Sequence, residues 1–233
     1  MAQFVMIAGG WHGGWALTPL ARKLRGRGHD VFTPSLTGLG ERAHLAAARP
    51  NLDTHIEDVA NVLLFEGLED VVLCGHSYAG MVITGVADRL AWRLSRLVYL
   101  DAFVPENGRS AIDYVVPERA AGMREQGERS GWITPPPMSL WGLTATQHLD
   151  FVGPREVRHP YASMTQPVTL RNPSETGVLP KTFIYCSSPA TGTFDQFAAK
   201  YRNDPAWRFH ELKTGHDAMV LMPEELARIL QAA

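Results

Sequence analysis

Residues 71–85 read Val-Val-Leu-Cys-Gly-His-Ser-Tyr-Ala-Gly-Met-Val-Ile-Thr-Gly, in which an apolar run is followed by a turn and then by small residues. An apolar run predicts a buried strand over 70–74, an abrupt turn follows at 75–79, and small residues then predict a closely packed helix. The turn matches the G-x-S-x-G pattern of a nucleophile elbow, except that Ala79 holds the last position and Gly80 follows it. Such an elbow exposes its serine at the carboxyl edge of a sheet. Ser77 is therefore the candidate nucleophile; the alternative is a tight turn with an incidental serine.

Strand-like runs alternate with helical patterns on both sides of this stretch. Strands are predicted at 3–8, 29–34, 70–74, 97–101, 181–186 and 207–212. Helical spacing predicts helices over 17–24, from 54, after the elbow, from 193 and from about 223. This alternation favours right-handed crossovers. We therefore predict an α/β fold with a mostly parallel, doubly wound sheet of about six strands, and a ligand site at the carboxyl ends of its strands.

The alternating pattern weakens between residues 103 and 180, where proline, glycine and charged residues interrupt it. We interpret 103–180 as a cap inserted over the sheet edge, and 1–102 with 181–233 as the core domain. Three tryptophans are candidates for lining a substrate pocket: Trp11 after the first strand, and Trp132 and Trp141 in the cap. The alternative is that the cap aromatics only bury one another.

Composition excludes several classes of function. The 233 residues carry a formal net charge of −2, with 45% hydrophobic and 20% charged residues, which is typical of a globular protein. Lys and Arg do not cluster into a stripe, so a nucleic-acid partner is not expected. The apolar residues 1–8 are too short to span a membrane and lack a basic lead, so they predict a first strand and no membrane partner.

Cysteine and histidine usage predicts no cofactor chemistry. Cys74 and Cys186 each lie in an apolar run, which indicates buried thiols in a reducing compartment and hence a cytoplasmic protein. The nine histidines are scattered and form no ligand motif. We therefore expect neither a metal nor any other cofactor.

An elbow serine needs a base, and the base needs a third group that fixes its tautomer. His216 follows the last predicted strand on a glycine-bearing loop, where a serine-acid-histidine order would place the base; a structural histidine is the alternative. Two N–H groups should hold the oxyanion. They are those of Tyr78, directly after Ser77, and Gly10, in the glycine-rich exit of the first strand.

Two carboxylates compete for the role of the acid. Asp101 ends the strand after the elbow helix and therefore reaches the same sheet edge. Asp195 follows the strand at 181–186, but a predicted capping box over 193–196 explains it structurally. Asp101 is favoured. Asp195 stays open, as do a third residue and the absence of any acid. Asp217 is expected to point away from His216.

The helix predicted from residue 54 has a capping box of its own. Thr54 and Glu57 are the expected partners, and Ile56, Val59, Ala60, Leu63 and Leu64 repeat at helical spacing and are expected to be buried. His55 and Asp58 on this helix are expected to be solvated.

These residues resemble the α/β-hydrolase superfamily and, within it, the methylesterase and hydroxynitrile lyase family. The resemblance rests on the strand exit at 9–15, the elbow at 75–80, the cap and the terminal Gly215-His216, and it implies an α/β-hydrolase fold. Two positions depart from the family: Ala8-Gly9 replaces its usual His-Gly, and Pro189 lies where its acid is usual. Haloalkane dehalogenases are similar to this chain in that they carry the acid where Asp101 lies.

Lyase members of the family carry a threonine beside the oxyanion loop and a lysine directly after the catalytic histidine. Those positions here are Gly9 and Asp217, so the resemblance disfavours cyanohydrin cleavage. The candidate residues predict instead a cofactor-independent serine hydrolase that cleaves a carboxylic ester through an acyl-enzyme, and the Trp and Met content of the cap suggests a small apolar or aromatic ester. The alternatives are a lyase, cyclase or decarboxylase acting on a small aromatic metabolite, and a ligand-binding receptor. The expected partner is the small-molecule ester; the sequence is compatible with a homodimer.

Overall fold

A six-stranded parallel sheet forms the centre of the protein in a computed structural model that describes residues 1–232. The strand order is β2-β1-β3-β4-β7-β8, and every neighbouring pair is parallel. The strands are β1 Gln3–Ile7, β2 Asp30–Phe32, β3 Val71–His76, β4 Leu94–Leu100, β7 Lys181–Cys186 and β8 Trp207–Leu212. The predicted α/β-hydrolase fold is confirmed, and all six strands lie close to their predicted positions.

Helices flank this sheet as the alternating pattern predicts. They are α1 Thr18–Arg25, α2 Leu52–Phe65, α3 Ala79–Leu90, α8 Asp195–Tyr201, α9 Ala218–Leu221 and α10 Pro223–Ala232. The small residues of α3 allow close packing against α2, because a Cβ added at Gly85 would lie 2.3 Å from Ile56 Cδ1. None of the helices within residues 1–232 is long and apolar enough to cross a membrane.

Residues 103–180 add no strand to the central sheet within the described chain. They hold four α-helices, α4 Pro117–Ser130, α5 Thr146–Val152, α6 Tyr161–Thr165 and α7 Pro173–Gly177, besides short 3-10 turns. They also hold an antiparallel ribbon of two short strands, β5 Trp132–Ile133 and β6 His159–Pro160. This segment packs over the carboxyl ends of the core strands: a Cβ added at Gly142 would lie 2.7 Å from Gly215 Cα.

The start of α2 differs from the prediction. Asn51 is the N-cap: its Oδ1 accepts the Thr54 N–H at 3.0 Å, and Thr54 Oγ1 accepts the Asn51 N–H at 3.4 Å. An asparagine oxygen caps a helix as well as a threonine oxygen does, so the helix begins earlier. Glu57 is free to contact Arg89, and Leu64 is 43% exposed rather than buried.

Candidate active site

Ser77 lies in the turn between β3 and α3 with a backbone φ of 56°, in the left-handed region that non-glycine residues seldom occupy. The turn is held on both sides: the Ser77 N–H donates to Leu100 O at 3.2 Å, and Ser77 O accepts the Phe103 N–H at 3.2 Å. Gly80 is required one position after the usual motif glycine, because a Cβ there would lie 1.9 Å from Phe103 O. The surrounding backbone therefore holds Ser77 in its strained conformation, as in other functional turns.

His216 follows β8 and is bound to the carboxylate that ends β4. Its Nδ1 donates to Asp101 Oδ2 at 2.6 Å, and both side chains are buried. This bond leaves Nε2 as the nitrogen with the free lone pair. The imidazole also stacks on Phe194, with ring centroids 5.0 Å apart and planes 5° apart, and packs against Trp141 at 4.9 Å. The ring orientation is therefore defined by one hydrogen bond and two aromatic contacts.

Asp101 is itself held in place by backbone groups. Its Oδ1 accepts the Cys186 N–H at 3.2 Å, and its own N–H donates to Ile184 O at 2.7 Å. Its φ of 41° is another left-handed conformation. Burial raises the pKa of Asp101, and the Cys186 N–H opposes that effect.

The alternative acid lies elsewhere. Asp195 Oδ1 accepts the Tyr185 hydroxyl at 2.9 Å in the first turn of α8, and it makes no bond to His216. The structure thus brings His216 to Asp101 and not to Asp195.

Burial sets the protonation of His216. Desolvation lowers the pKa of His216 to about 4, against an opposing effect of the Asp217 carboxylate. The imidazole is therefore neutral at pH 7, with one proton on the side of Asp101 and a lone pair on Nε2. A neutral base is the form that can accept a proton from a serine hydroxyl.

The loop after β1 lies directly against the elbow. A Cβ at Gly9 would lie 2.6 Å from Ser77 Cβ, so only glycine allows this approach. The structure shows no bond within residues 1–232 to the N–H of Gly10 or of Tyr78, the two expected oxyanion donors. The next N–H along the loop, that of Trp11, donates instead to His159 Nδ1 at 3.4 Å.

His55 is a buried structural histidine, and the expectation that it is solvated is wrong. Its Nε2–H donates to Thr37 O at 2.9 Å, and its Nδ1 accepts the Tyr78 hydroxyl at 2.9 Å. Burial lowers the pKa of His55 to about 4, so it stays neutral at pH 7. Sequence spacing showed that residue 55 lies beside buried residues of α2, but a single helix pattern could not show that the side chain of Tyr78 comes to meet it. The pair anchors the residue that follows Ser77.

The Asp217 carboxylate lies within 4.8 Å of a ring nitrogen of His216, closer than expected, but it accepts no hydrogen bond from that ring. It forms instead a buried ion pair that the sequence did not reveal. Its Oδ2 lies 3.2 Å from His12 Nε2, and both residues are buried. Burial lowers the pKa of His12, but Asp217 outweighs burial and the net pKa is raised. Burial likewise raises the pKa of Asp217, yet His12 lowers it below its usual range. Both shifts favour the charged forms of the pair, as expected where an imidazole and a carboxylate lie close together in a buried site.

His76, directly before the nucleophile, connects this pair to the loop that carries His216. Its Nε2 donates to His216 O at 3.1 Å, and its ring lies 4.3 Å from the His216 ring. His76, His216 and Asp217 bring one donor atom each within 4.8 Å of one another, a spacing that a metal ion can use. Each of the three already has a protein partner. His76 donates to His216 O, His216 donates to Asp101, and Asp217 is paired with His12. We therefore assign this cluster to positioning of the loop.

A cavity of about 350 Å³ opens above Ser77, between the sheet edge and residues 103–180. Its lining is mostly apolar and aromatic, and includes Trp11, Tyr78, Phe103, Met123, Ile133, Trp141, Met164 and Phe194. Two of the three candidate tryptophans, Trp11 and Trp141, line it, with ring centroids 5.6 Å apart.

Trp132 does not line this cavity, contrary to expectation. It lies on β5 beside a separate hollow of about 150 Å³, where Arg158 covers its ring at 5.8 Å. Adjacent residues of a strand face opposite sides, so Ile133 takes the cavity position in its place.

Three polar residues of α4 also line the cavity and were not identified from the sequence: Glu118, Arg119 and Gln126. The available signal was weak. Pro117 at the helix start and the four-residue spacing of polar side chains indicate a helix, but not which face meets the core.

Comparison with known proteins agrees with this fold. A model of the alpha/beta hydrolase family matches residues 4–229. The chain is 40% identical over 242 residues to a carbendazim hydrolyzing esterase of Nocardioides sp. (strain SG-4G), covering 100% of this chain and 99% of the relative. It is 31% identical over 108 residues to methylesterase 10 of Arabidopsis thaliana, covering 45% of this chain and 38% of that protein.

A solved structure supports the fold over the full length. An extracellular alpha/beta-hydrolase from a Paenibacillus species, described as sharing structural and functional homology with tobacco salicylic acid binding protein 2, superposes with a TM-score of 0.86 at 23% identity. The match covers 100% of this chain and 99% of that one. The predicted resemblance is thereby confirmed, and the chain belongs to the alpha/beta hydrolase family.

Proposed function

We propose that this protein is a serine esterase that cleaves small apolar or aromatic carboxylic esters through an acyl-enzyme. The observation that carries the proposal is the bond between His216 Nδ1 and Asp101 Oδ2 beside a strained Ser77 that opens into a cavity. The names of the relatives, a carbendazim hydrolyzing esterase and methylesterases, support ester cleavage as the reaction.

Acylation begins when His216 Nε2 accepts the proton of the Ser77 hydroxyl and the oxygen attacks the ester carbonyl carbon. Asp101 holds the imidazole in the tautomer that keeps Nε2 free and stabilises the imidazolium that forms. The oxyanion develops at the sheet edge, where the N–H groups of Gly10 and Tyr78 donate hydrogen bonds to it. His216 then gives the proton to the leaving alcohol, and Ser77 keeps the acyl group.

Deacylation repeats these steps with water as the nucleophile. His216 accepts a proton from the water, the water oxygen attacks the acyl carbon, and the Ser77 oxygen leaves with the proton that His216 returns. The carboxylic acid is then released. Because both steps need a neutral His216, its burial and lowered pKa suit hydrolysis at neutral pH.

The mostly aromatic lining supports a small aromatic or apolar substrate. A preformed apolar cavity with few polar groups is typical of small-molecule sites. Lyase chemistry of the cyanohydrin type is disfavoured, because the position after His216 carries an aspartate bound to His12 and so offers no cation to a departing cyanide.

The test compares Ser77→Ala with wild type on 4-nitrophenyl acetate, methyl benzoate and carbendazim. Loss of the nucleophile should lower kcat at least about 10⁴-fold. Ser139→Ala, which removes an exposed hydroxyl, is the matched control and should retain wild-type turnover. Undiminished hydrolysis by Ser77→Ala would overturn the proposal. Tight ligand binding by wild type with no turnover of any ester would favour a receptor instead.

A further inference from the structure

Arg119 brings an unpaired positive charge into the cavity above Ser77. Its Nη1 donates to Thr193 Oγ1 at 3.0 Å and its Nη2 to Thr191 O at 2.9 Å. No carboxylate among the described side chains pairs with it, and burial lowers the pKa of its guanidinium without an opposing effect from any anion. A guanidinium has five N–H donors, so three remain after these two bonds.

The neighbouring positions on α4 continue this polar feature along one face of the helix. Residues 119, 122, 123 and 126 all line the cavity, at the spacing that places side chains on one face. Gln126 Oε1 accepts the Thr134 N–H at 3.0 Å. An amide N–H can only donate, so Oε1 must face Thr134 and Nε2 is left as a donor.

Gly122 leaves room between these two donors. A Cβ added there would meet no atom within 4 Å. The donors of Arg119 and Gln126 thus border an open part of the cavity, while the rest of the wall is apolar.

We propose that the substrate carries a carboxylate in addition to its scissile ester, and that Arg119 binds this carboxylate with help from Gln126. The inference rests on the proposed function and narrows the substrate class to monoesters of aromatic dicarboxylic acids. Arginine presents its donors in a planar fork that matches a carboxylate. A wholly apolar ligand would instead displace water from the guanidinium and give its N–H groups no new acceptor.

Among the described residues that line the cavity, Glu118 is the one anionic group. It is exposed, so solvent and salt screen its charge. The Glu118 carboxylate therefore opposes the positive charge of Arg119 only weakly and does not neutralise it. Glu118→Gln should therefore strengthen the preference for an anionic ester at low ionic strength, by a small factor that disappears in high salt.

The experiment measures kcat/KM for monomethyl terephthalate and for methyl 4-methylbenzoate, two esters of similar shape that differ in charge. Wild type should prefer the anionic ester. Arg119→Gln should lower the ratio of anionic to neutral kcat/KM by about 10- to 100-fold, the usual worth of a hydrogen bond to a charged group. An unchanged ratio, or an equal loss with both esters, would overturn the inference.

Two control variants separate recognition from other roles of Arg119. Arg124→Gln removes a positive charge from α4 outside the cavity lining and should keep the wild-type ratio. Thr193→Val breaks one bond that fastens Arg119 but leaves the guanidinium in place. Thr193→Val should therefore lower the ratio less than Arg119→Gln does. An equal loss of kcat/KM with both esters in the two variants would show that Arg119 only fastens the helix.

A binding measurement keeps this inference separate from the proposed function. Calorimetry on Ser77→Ala and on Ser77→Ala/Arg119→Gln, with terephthalate as the ligand, should show a 10- to 100-fold weaker Kd for the double variant. If neither ester is hydrolysed, the proposed function fails while this comparison still decides the role of Arg119. Equal Kd values would refute carboxylate binding by Arg119 whatever the enzyme hydrolyses.

Discussion

Replacing Asp101 with asparagine should change the tautomer of His216 while leaving the fold intact. The Cys186 N–H donates to Asp101 Oδ1, so the carbonyl oxygen of an asparagine would take that position. Its NH₂ group would then face His216 Nδ1, now 2.6 Å from Oδ2, and could only donate. Nδ1 would have to accept, and Nε2 would carry the proton. Asparagine also tolerates the left-handed φ of 41° at this position.

Two consequences of Asp101→Asn differ in size: the loss of the charge-assisted bond and the reversal of the His216 tautomer. Loss of the charge-assisted bond alone would cost about 1.5–3 kcal/mol, or roughly 10- to 150-fold in rate. A protonated Nε2 cannot accept the Ser77 proton, and a reversed tautomer of this kind lowers kcat by about 10⁴ in a serine protease triad. We expect the larger loss, equivalent to about 5 kcal/mol of transition-state stabilisation.

The assay is kcat on 4-nitrophenyl acetate for Asp101→Asn and for Asp195→Asn as the matched control. Within the described part of the chain the Asp195 carboxylate bonds only to the Tyr185 hydroxyl, so its variant should stay within about twofold of wild type. Thermal unfolding checks that both variants fold. Equal and small effects from the two variants would refute the assignment of Asp101, and a large loss confined to Asp195→Asn would reverse it.

Three further predictions follow from burial and charge. Asp217→Asn leaves His12 without its buried partner and should cost about 3–5 kcal/mol, lowering Tm by roughly 6–20 °C, whereas His12→Gln/Asp217→Asn should recover most of the loss; a Tm of the single variant within 2 °C of wild type would contradict the ion pair. Gly122→Ala should raise stability by about 0.5–1 kcal/mol in urea unfolding, because the added Cβ meets no atom within 4 Å, while Gly122→Leu should raise KM for naphthyl esters more than for methyl benzoate; unaltered substrate preference in Gly122→Leu would show that residue 122 does not border the bound ester. The pKa of His216 is lowered to about 4, so the base is neutral above that pH and kcat/KM should stay level from pH 8 to pH 5 and fall only near pH 4; an acid limb centred near pH 6.5 would contradict a buried base.

The fold was predictable because its signals are local. The central strands β1 and β3 are apolar runs, and the elbow at Ser77 joins β3 to a helix within a few positions. The start of α2 was misplaced, since Asn51 and Thr54 both have the chemistry of a cap and sequence alone does not rank them. Leu64, near the end of the same helix, was wrongly expected to be buried, because the apolar residues of α2 cover a wider arc of the helix than its buried face.

The candidate site was predictable only where chain order carries the information. Ser77, His216 and Asp101 each follow a core strand, and parallel strands deliver such residues to one edge. The contacts of His55 with Tyr78, and of His12 with Asp217, join residues far apart in sequence, and no periodicity reports them.

The residues that line the cavity could not be predicted from chain order or from periodicity. Which face of a short cap strand or helix turns inward is decided by packing, so Trp132 was included wrongly and Arg119 was missed.

In the proposed mechanism Ser77 carries the acyl group during turnover. A rapid quench of the enzyme with 4-nitrophenyl acetate, followed by the mass of the intact protein and of the peptide that contains Ser77, tests this directly. We expect a burst of about one 4-nitrophenol per chain and a single added acetyl group on Ser77, both absent in Ser77→Ala. Steady turnover with no acetyl group on Ser77, or with an acetyl group on another residue, would contradict it.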